Sequence, residues 1–135
     1  MALLVACADF ALANSTWSAA SVLMNKLGAT SNGVAVEGHW GFQYYMEQQG
    51  ARPLDKGFLR LTPNEAIVIP RGNSYLFPLP SERVEDWFTY RVEALKWLAT
   101  MNVTVGAGFY SDGWGPLPFV FGAVPAQEYL VFRVR

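Results

Sequence analysis

Glu37 and His39 stand two residues apart at the end of a short apolar run, with Trp40 directly after them. A carboxylate and an imidazole at that spacing could pass a proton to or from a bound hydroxyl. Arg71 and Asn73 follow a second apolar run in the same way. A guanidinium and an amide near a helix N-terminus would hold a hydroxyl-rich anion such as a sugar phosphate. The third group is aromatic: Tyr110, Trp114 and Phe119 in a stretch rich in Gly and Pro, with Trp40, Tyr44 and Tyr45 elsewhere. Flat rings can carry the C–H face of a sugar. Rings at helical spacing more often build a core, Glu37 and His39 more often cap or buttress a helix start, and Arg71 more often serves as a solvated turn residue. An enzymatic reading would use Glu37, His39 and Asp112 for acid–base chemistry on a sugar-like substrate. With one histidine in the chain, His39→Ala would abolish that activity and leave a binding role largely intact.

The rest of the composition removes whole classes of chemistry. Cys7 is the only cysteine and His39 the only histidine, so an intramolecular disulfide, a multi-thiolate site and a site with two imidazoles are excluded. No metal and no cofactor are expected. Gly33 and Gly38 do not form a dinucleotide fingerprint, and no Gly-rich run ends in Lys-Ser or Lys-Thr. Ser15, Ser74 and Ser111 lack the flanking residues of a nucleophile elbow. Ten basic and eleven acidic residues are scattered through the chain, which leaves no basic stripe for nucleic acid. Charged residues make up 16% of the chain and hydrophobic ones 52%, against roughly 25% charged in an average domain. Apolar surface should therefore remain for a partner, and a homo-oligomer is expected.

The apolar opening from Leu3 to Ala8 is interrupted by Asp9, and no basic residue precedes Lys26. That run is far shorter than the roughly 20 residues that cross a bilayer. Neither a signal peptide nor a membrane span is expected, which suits a cytoplasmic free-standing chain.

The elements that must position these groups follow from periodicity. Phe10, Ala13, Trp17, Ala20, Leu23, Met24 and Leu27 recur at helical spacing, predicting a helix over 9–27 with Gly28 as its cap. Val34-Ala35-Val36 predicts a buried strand, and a second helix runs from about His39 to Gln49 with Gly41 in its first turn. Arg52-Pro53-Leu54 suits a short edge strand, and Glu65 to Pro70 a strand covered on both faces. Alternation over 86–92 and 129–134 predicts two further strands, separated by a long flap of Gly, Pro and aromatic residues. The expected fold is one α/β domain over 1–135: a three-layer sandwich around a central, mostly parallel sheet, with antiparallel strands admitted at its C-terminal end. Ligands of such sheets bind beyond the carboxyl ends of the strands. Glu37, His39 and Trp40 would then share a crevice with Arg71 and Asn73.

Two stretches also carry a family resemblance. Gly38-His39-Trp40-Gly41-Phe42-Gln43-Tyr44-Tyr45-Met46-Glu47 with Gly50-Ala51-Arg52-Pro53-Leu54-Asp55 is the first, and Gly106-Ala107-Gly108-Phe109-Tyr110 with Trp114-Gly115-Pro116-Leu117-Pro118-Phe119 and Val124-Pro125 the second. They resemble the C-terminal soluble region of bacterial polytopic membrane glycosyltransferases of the protein-O-mannosyltransferase-like superfamily. The likeness covers nearly the whole chain, and Leu3 to Asn14 resembles the last membrane helix of those proteins running into that region. It implies a detached, non-catalytic accessory domain that binds a sugar, a sugar phosphate or a protein partner, extracytoplasmic in the resembled proteins. The family's catalytic carboxylate and lipid-phosphate donor belong to the membrane portion. Asp112-Gly113 departs from the family pattern, so no inherited role attaches to Asp112.

Overall fold

The computed structural model describes residues 1–38, 41–55, 57–72 and 76–135, with Asp112 described by its backbone alone. Helix α1 (Ala2–Gly28) leads to β1 (Val34–Val36), α2 (Gly41–Gln48), β2 (Arg52–Pro53), β3 (Ala66–Pro70) and β4 (Val84–Val92). The flap contains β5 (Leu98–Ala99), β6 (Met101–Asn102), β7 (Ala107–Gly108), a 3-10 turn (Asp112–Trp114) and β8 (Val120–Phe121), and β9 (Gln127–Val134) follows it. Five strands form the main sheet in the order β2, β1, β3, β9, β4. β1 runs parallel to β2 and β3, whereas β9 runs antiparallel to β3 and β4.

Strand alternation divides the core in two. Val34, Val36, Ala66, Val68, Tyr129 and Val131 face one side, where Ala19, Ala20, Leu23 and Leu27 of α1 and Phe42 and Met46 of α2 cover them. Ala35, Ile67, Ile69, Val84 and Val134 face the other, beneath Leu61 and the partly buried Leu54, Leu59, Leu76 and Leu79. Both helices thus share one face, and irregular segments cover the other. This corrects the expected three layers and mostly parallel sheet: the sheet is mixed, and its parallel part is confined to β2, β1 and β3. The cause lies in the connections. Only the link from β1 to β2 is a helical crossover; β4 and β9 are joined by the flap, so they return antiparallel and bring no second helical layer.

Helix α1 starts seven residues before the predicted boundary, and Gly28 is its last residue rather than a left-handed cap. The final carbonyls are met by polar side chains instead: Ser31 donates from N and Oγ to Leu27 O at 2.9 and 2.7 Å, and Thr30 Oγ1 donates to Lys26 O at 3.0 Å. Among the described residues no helix is long and apolar enough to cross a membrane.

The flap is closed on itself by backbone. Gly108 N donates to Leu117 O at 2.7 Å, and Leu117 N donates to Gly106 O at 3.1 Å. Gly115, at φ +154°, passes so close to Gly106 that a Cβ would fall 2.1 Å from its carbonyl carbon. Only glycine fits there. Two hydroxyls then fasten the flap to α1: Thr100 Oγ1 donates to Asp9 Oδ1 at 2.5 Å, and Tyr110 OH donates to Asp9 Oδ2.

Candidate functional site

Pairing of β3 with β9 sets Pro70 opposite Tyr129 at the carboxyl end of the parallel strands. There α1, the first turn of α2, the start of β9 and the flap enclose a cavity of about 410 Å³. Leu12, Ala13 and Thr16 of α1 form one wall, and Phe42 and Tyr45 of α2 the next. Met101, Tyr110 and Trp114 close it from the flap. Phe42 and Tyr129 lie with ring centroids 4.4 Å apart, which fixes the cavity floor. Trp114 packs beside Gly72, where an added Cβ would make ordinary contact with its Cζ3 at 3.6 Å. Its Nε1 is buried and finds no acceptor among the described residues.

The polar groups in the wall differ in their surroundings. Tyr129 is 3% exposed, and burial pushes its phenol up to about 12, with the Thr16 hydroxyl pulling the other way and Tyr90 adding to the rise. Tyr110 is also held above its ordinary value, first by the hydrogen bond it gives Asp9, then by burial and by the Asp9 charge. Glu128 is held below the usual carboxylate value by hydrogen bonds from Arg91 and Arg71. Arg71 Nη1 donates to its Oε2 at 2.5 Å and Arg91 Nε to its Oε1 at 2.7 Å. The strand register explains this triad, since Arg91 pairs with Glu128 across β4 and β9 and Arg71 N donates to Glu128 O at 2.8 Å.

Of the residues singled out from sequence, Tyr110 and Trp114 line the cavity. Arg71 lies beside it, on an adjoining groove of about 590 Å³ that it shares with Arg91, Asn102, Thr104 and Trp114. Glu37 is not brought to either. It is 5% exposed and its Oε1 accepts from Phe77 N at 2.5 Å. Alternation along the strand accounts for this, because Glu37 extends the face of Ala35, on the side covered by irregular segments. Its observed bond ties the 76–79 segment to the end of β1. His39, Trp40, Asn73 and Ser74 lie outside the described residues, as does the side chain of Asp112. Of the remaining aromatic candidates, Tyr45 reaches the cavity, while Tyr44 is exposed and Phe119 packs edge-on against Phe121 at 5.6 Å.

Sequence reasoning passed over Asp9, Thr16, Gln127, Glu128 and Tyr129, all of which line the cavity. Asp9 had a signal, as the one charge in an otherwise apolar opening. Glu128 and Tyr129 had none, because only the register of β9 brings them here. Among the described residues no three His, Cys, Asp or Glu side chains gather as a metal would require.

Comparison of the chain with protein-family models, curated proteins and solved structures returns no match.

Proposed function

We propose that this protein is a non-catalytic binding domain whose ligand sits in the cavity between α1, α2, β9 and the flap. The observation that carries this reading is the cavity's make-up. Its volume of about 410 Å³ falls within the roughly 300–1,000 Å³ of small-molecule sites, and its wall is mainly apolar and aromatic with a few convergent polar groups. The two carboxylates at its edge already accept hydrogen bonds from hydroxyl or guanidinium groups, which favours binding over proton transfer. A sugar ring, the ligand class implied by the family resemblance, would find Trp114 and Tyr45 to stack on and Thr16, Gln127 and Tyr129 to bond. A sugar phosphate fits less well, because Asp9 and Glu128 are the charged groups of the wall and Arg71 and Arg91 are engaged by Glu128. On the resemblance of 38–47 and 106–119, such a domain would be an accessory relative of membrane glycosyltransferases.

The test uses naphthylmethanol, a neutral aromatic probe. It should shift the amide resonances of Leu12, Phe42 and Trp114, and Ala13→Trp should abolish the effect by filling the cavity from an exposed helix position without altering the circular dichroism. Shifts spread over unrelated surfaces, or unchanged by Ala13→Trp, would refute the reading.

A second observation favours a protein partner. Leu3, Phe10 and Trp17 stand seven residues apart on α1 and are 76%, 70% and 56% exposed. Seven residues make two turns, so they form one ridge, and Asp9 and Lys26 are the only charges on the helix. A second copy of the chain is the partner proposed, because an uncharged ridge matches itself without repulsion. Sedimentation should show a dimer or larger that Trp17→Glu dissociates; a monomer at high concentration would remove this reading.

A further inference from the structure

Asp9 and Glu128 are the two carboxylates in the cavity wall, and they are not equivalent. Glu128 is matched by two guanidiniums, those of Arg71 and Arg91. Asp9 is matched by none. Its oxygens accept from the hydroxyls of Thr100 and Tyr110, and among the described residues it forms no ion pair with Lys or Arg. Hydroxyl donors favour an ionised carboxylate but do not cancel its charge. An ionised carboxylate also has about four lone-pair sites, and these two bonds leave room for further donors.

The surroundings of that charge narrow what could complete it. Phe42, Tyr45, Trp114 and Tyr129 bring four aromatic rings to the same cavity. Ring faces attract cations within about 6 Å of their centroids. A charge beside low-dielectric walls is also screened less than one on open surface. An anionic ligand would meet an uncompensated carboxylate, and a neutral one would leave it uncompensated.

We propose that the cavity takes an organic cation, an ammonium group carried on an apolar or aromatic body. The ammonium sits at Asp9, and the body packs against Leu12, Phe42 and Trp114. This assignment rests on the cavity being the binding site, and it puts a positively charged ligand in place of the neutral sugar ring considered for that cavity above.

The experiment compares three probes with one body on the unaltered protein by titration calorimetry: naphthylmethylamine, naphthylmethanol and naphthoate. A charged hydrogen bond contributes on the order of 1.5 kcal/mol or more, so the amine should bind about tenfold tighter than the alcohol, and naphthoate weakest. Asp9→Asn should bring the amine to parity with the alcohol. Tyr110→Phe, which keeps the Asp9 charge and removes a competing donor, should preserve or enlarge the amine's advantage. If Asp9→Asn fails to fold, the ranking on the unaltered chain and on Tyr110→Phe decides. An alcohol that binds as tightly as the amine, or an advantage that survives Asp9→Asn, overturns the cation assignment and leaves the cavity reading standing. Failure of all three probes to bind overturns both.

Discussion

Replacing Gly115 by alanine would put a methyl carbon 2.1 Å from the carbonyl carbon and oxygen of Gly106 and 2.3 Å from its Cα, where real Cβ atoms essentially never come within 3.0 Å. No side chain can rotate away, since every atom in conflict is backbone. For the methyl to fit, the two passes of chain must separate, and the bonds between Leu117 N and Gly106 O and between Gly108 N and Leu117 O loosen with them. The backbone conflict adds to this, because φ at Gly115 is +154°. Strain of that kind costs about 1–3 kcal/mol, overpacking another 1–3 kcal/mol, and each weakened backbone bond about 1 kcal/mol. The total loss is capped by the free energy of opening the flap alone, because beyond that point the flap detaches and the sheet stays folded. The loss expected is the smaller of about 4–8 kcal/mol and that opening free energy. Hydrogen exchange at the amides of Gly108, Phe109 and Leu117 should accelerate far more than exchange in β3. Gly28→Ala is the matched control: nothing lies within 4 Å of its Cβ position, and alanine there should be neutral or stabilising by up to about 1 kcal/mol. Unchanged flap protection in Gly115→Ala, with a loss below about 1 kcal/mol, would refute the claim that this crossing holds the flap.

Two pH limbs provide further tests. Tyr129 ionises at about 12 in the fold against 10.0 unfolded, so its contribution is complete below about pH 10 and is lost as pH rises to about 12, on the order of 3 kcal/mol. Absorbance titration should show two late phenols, Tyr110 and Tyr129, of which Tyr129→Phe removes the one near 12, and the variant's alkaline stability loss should be shallower. Glu128 has a folded value depressed below 4.5, so its contribution is present above that pH and disappears as pH falls through the folded value. Glu128→Gln should flatten the dependence of the unfolding midpoint on pH below about 4.5, and added salt should reduce the difference because both guanidiniums are exposed.

The elements that announced themselves are those with one dominant period. The runs Val34 to Val36 and Ala66 to Pro70 are buried from both sides, and their unbroken apolar character says so. The alternation expected over 86–92 holds from Phe88 to Val92, but β4 begins at Val84 and carries a bulge between Asp86 and Phe88, which shifts the phase and hides its first residues. The layer count was not legible, because the second face is covered by Leu54, Leu59, Leu61, Leu76 and Leu79 from segments with no period of their own. The flap's strands are two residues each, too short for any pattern to register. At the site, Tyr110 and Trp114 stood out as aromatic residues in a loop that must bury some of its rings. Glu128 and Tyr129 become cavity residues only through the pairing of β9 with β3, which is a property of register rather than of local sequence.

β4 and β9 pair from Val84 opposite Val134 to Val92 opposite Gln127, so the whole segment from 93 to 126 is the loop of a single long hairpin. Closing a hairpin is only weakly sensitive to loop length: each doubling costs about 0.6 kcal/mol. The flap is therefore an exchangeable cassette. Another segment of different length and chemistry could replace it, giving the cavity a new wall in place of Met101, Tyr110 and Trp114 while the scaffold kept its register. One constraint travels with the exchange. Ala8 and Leu12 of α1 face Leu98, Ala99 and Met101 across a narrow gap, so any substitute must bring its own cover for the opening turns of the helix or leave them to fray.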